Sequence, residues 1–304
     1  MNAESSRLRS TGMTSSDMRA IWPGALLVVY LAGSGVLLLA GHGNVGVWAT
    51  TLHFAVLVAV AATTWIPATS SWLRSWAPLL TLLFLYSEMP ALIQAAGHVF
   101  PLDPTVIAWE QSLFGQQPAR TWAATIPSAV VSEVLHLAYL SYYPIIYVVP
   151  AELWRSGRRR EFDTAVFALM VTFVACFVCY IVFPVAGPRY LWPSAAPDGM
   201  FRSLATWLLE ARSSQGTAFP SSHVAVATAQ SVIALRLFGR KAAVIPAATI
   251  GLALGAVYGG FHYAIDVLAG AVLGFVTAAG AMALSRGSDD QANAMAPTYP
   301  ASER

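Results

Sequence analysis

The chain has 304 residues, of which 57% are hydrophobic and only 11% charged, with a formal net charge of +2 and a mean hydropathy of +0.60. Soluble domains carry about 25% charged residues, so this composition excludes an ordinary soluble enzyme and indicates a polytopic helical membrane protein. The net charge says little about partners, but no basic-aromatic stripe points to nucleic acid, and none is expected.

In chain order, residues 1–19 are polar and aperiodic and are expected to be a disordered tail. The first apolar segment, 21–40, follows Arg7, Arg9 and Arg19 like the h-region of a signal peptide. No small-x-small cleavage site follows, and it reads as a retained signal anchor. Further apolar segments lie at about 46–67, 76–96, 127–150, 164–184, 219–238, 242–258 and 264–284. A membrane-spanning helix needs ~20 apolar residues. The segment at 242–258 is short and rich in Gly and Ala, which allows close helix packing. The expected fold is therefore all-α, a polytopic membrane helical bundle of about 6–8 transmembrane helices. Residues 20–285 form one membrane domain, and 286–304 are expected to be a second disordered tail.

Basic residues orient the chain. Arg74, the Arg155–Arg160 turn, Arg236, Arg240, Lys241 and Arg286 fall on the same side as the N-terminal arginines. The positive-inside rule makes that side cytoplasmic. Both termini are then cytoplasmic, in a plasma (bacterial inner) membrane. The opposite face receives 97–126, 185–218 and the link 259–263. Arg189, Arg202 and Arg212 lie on this disfavoured side, which suggests a ligand.

Several features have two readings. Asp103-Pro104 opens an interfacial helix ending at Gly115, or a plain loop. In the helix, Val106, Trp109 and Leu113 share an apolar face at the outer surface. Glu88, Glu133 and His136, with Tyr139, Tyr142 and Tyr143, line a headgroup cavity or form an internal network. Cys176 and Cys179 lie mid-span and read as buried apolar residues. His42, His53 and His98 have no identifiable partner.

The chemistry is announced by two histidines. Pro220-Ser221-Ser222-His223 sits where one helix begins, and reads either as a plain N-cap followed by an interfacial His or as an anion site made by free backbone N–H groups with serine hydroxyls. His262 and Asp266 are spaced i, i+4 at the start of another. A helical path out and back from His223 returns His262 to the same membrane face. His262 and Asp266 form a structural ion pair or a functional one; a carboxylate costs ~2.5–3.5 kcal/mol at the centre of a bilayer-spanning helix and less near the surface, which favours a functional Asp266. Gly187-Pro188-Arg189-Tyr190 ends the fifth span on that face; its arginine either grips phosphate through a planar fork or snorkels to the lipid headgroups.

These residues resemble the phosphatidic acid phosphatase type 2 superfamily. Its Pro-Ser-Gly-His motif reads here as Pro220-Ser221-Ser222-His223, and its His-x-x-x-Asp as His262 to Asp266. The Gly-Pro-Arg-Tyr element, the His262-Tyr263 pair and Trp109-Glu110-Gln111-Ser112-Leu113-Phe114-Gly115 look most like the inositol phosphorylceramide synthase-like branch. The resemblance covers roughly 103–275 and implies a six-helix catalytic core within about 103–284. It implies catalytic roles for His223, His262 and Asp266, and phosphate binding by Arg189, Ser221 and Ser222. His262 is then the nucleophile that forms a phosphohistidine, Asp266 its orienting carboxylate and His223 the general acid and base. Water as acceptor gives a phosphatase; a lipid hydroxyl gives a phosphotransferase. The expected partner is a membrane lipid, with no cofactor, no metal and no obligate protein partner. Two usual cations are missing. Val182 stands where the family has Lys, and Gly255-Ala256 where it has Ser-Arg. Arg202 and Arg212 are the candidate substitutes. The alternatives are a two-His-one-carboxylate metal site for membrane hydrolysis, and a non-catalytic lipid-phosphate binder or transporter.

Overall fold

The structure, a computed structural model, describes residues 15–41, 45–65, 72–98, 101–212 and 214–294, without the side chains of 15–20, 211–212 and 288–294. Thirteen α-helices make up the described chain: α1 Ser15–Ala40, α2 Val47–Thr64, α3 Trp72–Ser87, α4 Met89–Ala95, α5 Asp103–Phe114, α6 Pro118–Thr125, α7 Ala129–Leu140, α8 Tyr142–Arg155, α9 Arg159–Val182, α10 Met200–Arg212, α11 Ser222–Phe238, α12 Val244–Tyr258 and α13 Ala264–Ala294. The all-α bundle is as expected. The helices extend further than the apolar pattern: α1 begins at Ser15 and α13 runs to Ala294, inside the two stretches expected to be tails. His42 lies outside the described residues.

Five stretches among the described residues are long and apolar enough to cross a membrane: Ile21–Ala40, Val47–Thr64, Ala129–Arg155, Arg159–Val182 and Ala264–Gly287. The α3–α4 pair makes a sixth if its 57° bend is one broken span; Pro90, in the first turn of α4, marks the break. These helices turn large apolar side chains outward, among them Val29, Val36, Val58, Val272 and Phe275, as a lipid-facing surface requires. The protein is an integral membrane protein.

The remaining two expected spans are shorter, 17 residues in α11 and 15 in α12. Their position explains why. α11 is buried along most of its length, so protein replaces lipid as its solvent. It therefore carries Gln230 and Ser231; Ser231 shares a hydrogen bond with Thr249 of α12 at 2.8 Å. Glycines bring its neighbours close. A Cβ on Gly274 would fall 2.0 Å from the Ala225 carbonyl oxygen, and one on Gly255 2.2 Å from that of Leu135. The small-residue run in α12 thus serves close packing against α7, as expected.

The basic turns gather at one end. Arg158 lies over the Phe238 ring at 5.1 Å, Trp76 meets Trp154 at 6.0 Å, and Thr164 bonds Ser285 at 2.6 Å. The starts of α11 and α13 and the end of α9 meet at the other end.

Candidate active site

Three chain segments converge there. After α9 the backbone runs extended; Val185 bridges Thr217 and accepts the Ala218 N–H at 2.9 Å. Gly187 has φ +100°, and a Cβ there would sit 3.1 Å from the Ala218 Cβ, so the turn and the close approach both need glycine. The 3₁₀ turn Pro188–Tyr190 follows and presents Arg189. Arg189 donates to the Tyr190 hydroxyl and lies 4.5 Å over its ring, so the neighbouring tyrosine holds the guanidinium in place.

Ser221 is the N-cap of α11 and accepts the Val224 N–H through its hydroxyl at 3.4 Å. Its own N–H donates to the Asp266 carbonyl at 3.0 Å, which ties the starts of α11 and α13. Ser222 Oγ pairs with the Tyr86 hydroxyl, and its N–H donates to Tyr180 at 3.3 Å. Both serines are fully packed and neither lines the cavity. Their hydroxyls are engaged in holding the helix start. His223, in the first turn, does face the cavity. Its ring is flanked by Tyr142 at 4.1 Å and Tyr139 at 5.3 Å.

His262 lies in the turn before α13, so its pairing with Asp266 is made by that turn and not along a helix face. Its Nδ1 is 3.0 Å from the Ala218 carbonyl oxygen and 3.5 Å from Asp266 Oδ2. A carbonyl only accepts, so Nδ1 carries the proton and Nε2 keeps its lone pair. Burial holds the His262 pKa down at about 4, with the Ala218 hydrogen bond opposing and the Arg189 charge reinforcing. The imidazole is therefore neutral at pH 7, the state a nucleophile needs. Asp266 Oδ2 also accepts the Tyr263 N–H at 2.9 Å, the backward reach of a capping box. The His223 and His262 rings lie 5.7 Å apart.

Both histidines and Arg189 line one cavity of about 590 Å³, whose other walls include Tyr86, Tyr139, Tyr142, Tyr143, Leu82 and Leu209. Arg189 is the one Lys or Arg among the described cavity-lining residues. Arg202 is engaged elsewhere, paired with Asp198 beside the Glu133 carboxylate that caps the start of α10. The side chain of Arg212 lies outside the described part. The positions of the missing cations have a structural reading. Val182 is 61% exposed at the end of α9, and α7 packs directly on Gly255, which leaves no room there for a side chain.

The expected headgroup set divides. Tyr139, Tyr142 and Tyr143 line the cavity; Glu88, Glu133 and His136 do not. Glu88 instead meets His53 at 2.7 Å, giving that histidine the partner its sequence context hid. His136 Nδ1 contacts the Ser132 carbonyl at 2.6 Å. Cys176 is buried, Cys179 partly so, and both are free thiols. Among the described residues no group of three or more His, Cys, Asp or Glu side chains is placed to hold a metal ion.

The helix reading of 103–115 holds, with Gly115 its left-handed C-cap, but sequence reasoning missed its part in backing the site. The buried face of α5 is Asp103, Val106 and Glu110, while Trp109 and Leu113 are 42% and 59% exposed. Asp103 does not cap its own helix. It accepts the Ala186 and Gly187 N–H groups at 2.8 and 2.9 Å and the Tyr263 hydroxyl at 2.8 Å. Glu110 accepts the Ala264 N–H at 2.5 Å. Burial lifts the Glu110 pKa to about 7, with that N–H opposing and the Asp266 charge adding. Both carboxylates carry a signal in the sequence, a helix-start Asp and a Glu seven residues on, but the apolar pattern of α5 pointed to an adjacent face that shares only Val106 with the buried one.

No curated protein and no solved structure matches the chain. The sequence model of the PAP2 superfamily matches residues 104–280, more than half the chain and the span that holds Arg189, His223, His262 and Asp266. With that match, the chain belongs to the PAP2 superfamily, whose members are phosphatases or phosphotransferases.

Proposed function

We propose that the protein is a lipid-phosphate phosphatase or phospholipid headgroup phosphotransferase that works through a phosphohistidine at the non-cytoplasmic face, in the manner of the inositol phosphorylceramide synthase-like branch. The observation that carries this reading is the single cavity shared by His262, His223 and Arg189. Its other walls are mostly apolar and tyrosine-rich, with Ser87, Ser214 and Thr217 among them, which suits an acyl chain beside a phosphate.

His262 attacks phosphorus through Nε2, and the bond from phosphorus to the leaving alkoxide oxygen breaks. Asp266 stabilises the imidazolium that forms, as the Ala218 carbonyl keeps the ring oriented. His223 protonates the departing oxygen and then takes a proton from the acceptor. Water as acceptor releases phosphate; a lipid hydroxyl gives a new phosphodiester or monoester. Arg189 holds the phosphoryl oxygens, and its fixed charge stabilises the transition state. His223 Nδ1 and the Tyr139 hydroxyl are buried and find no hydrogen-bond partner among the described residues, so both are free to meet polar atoms of a substrate or acceptor.

Turnover of a panel of lipid phosphates by purified protein, with an alcohol acceptor added or withheld, tests the reading. Release of phosphate or a transferred headgroup is expected, together with an acid-labile, alkali-stable phosphoenzyme. Lipid binding without product would support the binder, and loss of activity in chelators the metal hydrolase.

The orientation is tested separately. In a background lacking Cys176 and Cys179, cysteines at the exposed positions Gln116 and Ser194 are expected to react with an impermeant reagent from outside. One at exposed Ser156 should react only after the membrane is opened. Outside labelling at 156 would invert the topology.

A further inference from the structure

Resting on the phosphotransfer reading, we infer that Asp103 is a positioning residue that clamps the Arg189 loop to the His262 turn. One carboxylate joins two segments far apart in sequence. Its Oδ2 accepts the Ala186 N–H at 2.8 Å and its Oδ1 the Gly187 N–H at 2.9 Å, just before Arg189. The same Oδ1 accepts the hydroxyl of Tyr263 at 2.8 Å, the residue that follows His262. Asp103 is 3% exposed and Tyr263 is fully buried, so solvent does not compete for these bonds, and each is charge-assisted.

The clamp fixes what the reaction needs. The cation must hold the phosphoryl oxygens while the nucleophile stands in line with the departing oxygen, and small errors in such alignment slow transfer steeply. Each side has its own local support, Tyr190 for Arg189 and Ala218 for His262. Asp103 sets the distance between them. Glu110, seven residues on along the same buried face of α5, holds the Ala264 N–H and keeps the start of α13 against that helix.

The prediction separates positioning from folding. Asp103→Asn keeps the size but turns an amide donor toward donors, and Tyr263→Phe removes only the hydroxyl. In full-length reconstituted protein, Asp103→Asn is expected to speed hydrogen exchange at Ala186 and Gly187 by about tenfold or more, as for loss of bonds to a charged group. With a short-chain phosphatidic acid as probe, both variants should lose kcat while KM stays within about twofold, because the alignment matters most at the transition state. Adding Tyr263→Phe to Asp103→Asn should cost little more, since both cut one bridge. Unchanged exchange at 186 and 187 would overturn the clamp. So would kcat losses that multiply in the double variant, or losses that merely track the folded fraction. The exchange arm needs no turnover. If the wild type turns over no lipid phosphate, or His262→Ala turns over normally, the phosphotransfer reading falls and exchange alone decides the clamp.

Discussion

His262→Ala is expected to abolish turnover and phosphoenzyme formation in a protein that still inserts and folds. General acid–base groups contribute about 10²–10⁴-fold, and loss of the attacking atom should cost at least as much. Asp266→Asn should also be severely impaired, by a different route. An Asn oxygen still accepts the Tyr263 N–H that Asp266 now takes, so the helix start survives. What disappears is the negative charge 3.5 Å from Nδ1 that stabilises the imidazolium of the intermediate. Single-turnover kinetics should therefore show slow phosphoenzyme formation in Asp266→Asn and none in His262→Ala. Normal turnover in His262→Ala would remove the nucleophile from this scheme.

Arg189→Ala is expected to be nearly inactive, and Arg189→Lys strongly impaired. Removal of one fixed donor to a transition-state oxyanion costs about 10²–10³-fold. The loss here should lie at the upper end, because Arg189 is the one Lys or Arg among the described residues of the cavity wall. Lysine keeps the charge but not the planar fork, nor the stacking on Tyr190 that aims it. Orthovanadate mimics a pentacoordinate phosphoryl group. It should inhibit the wild type and bind Arg189→Ala much more weakly. Normal turnover and normal vanadate affinity in Arg189→Ala would shift the phosphate grip to another cation. Arg212 would be the next to replace, since Arg202 is held by Asp198.

The helical membrane character, the placement of the motif residues and the common end of the bundle were legible in the linear pattern. Apolar length reports burial in lipid, and the His223 and His262 motifs sit at helix starts that apolar runs mark. Their convergence followed from an out-and-back path alone. The shortness of α12 was legible; that of α11 was not. A helix surrounded by protein needs neither full bilayer length nor uniform apolarity, and sequence does not say what surrounds it. Ser221 and Ser222 carry the same two explanations in sequence, helix cap or anion site. Only the tertiary structure shows that Ser221 bonds the Val224 N–H and that Ser222 meets Tyr86 and Tyr180.

The sequence by itself determined which groups are available: two imidazoles and a carboxylate at helix starts, and an arginine on the face where basic residues are disfavoured. Those are local properties, set by residue type, spacing and the bilayer. Tertiary structure alone decided which nitrogen of His262 is free, because its partner is a backbone carbonyl 44 residues away. It also decided that Arg189 stands beside the histidines while Arg202 turns to Asp198, and that an acidic face of α5 joins their loops. A buried carboxylate is stabilised by whichever N–H and O–H donors the fold brings to it, and those donors lie 83 and 160 residues from Asp103, beyond the reach of any local pattern.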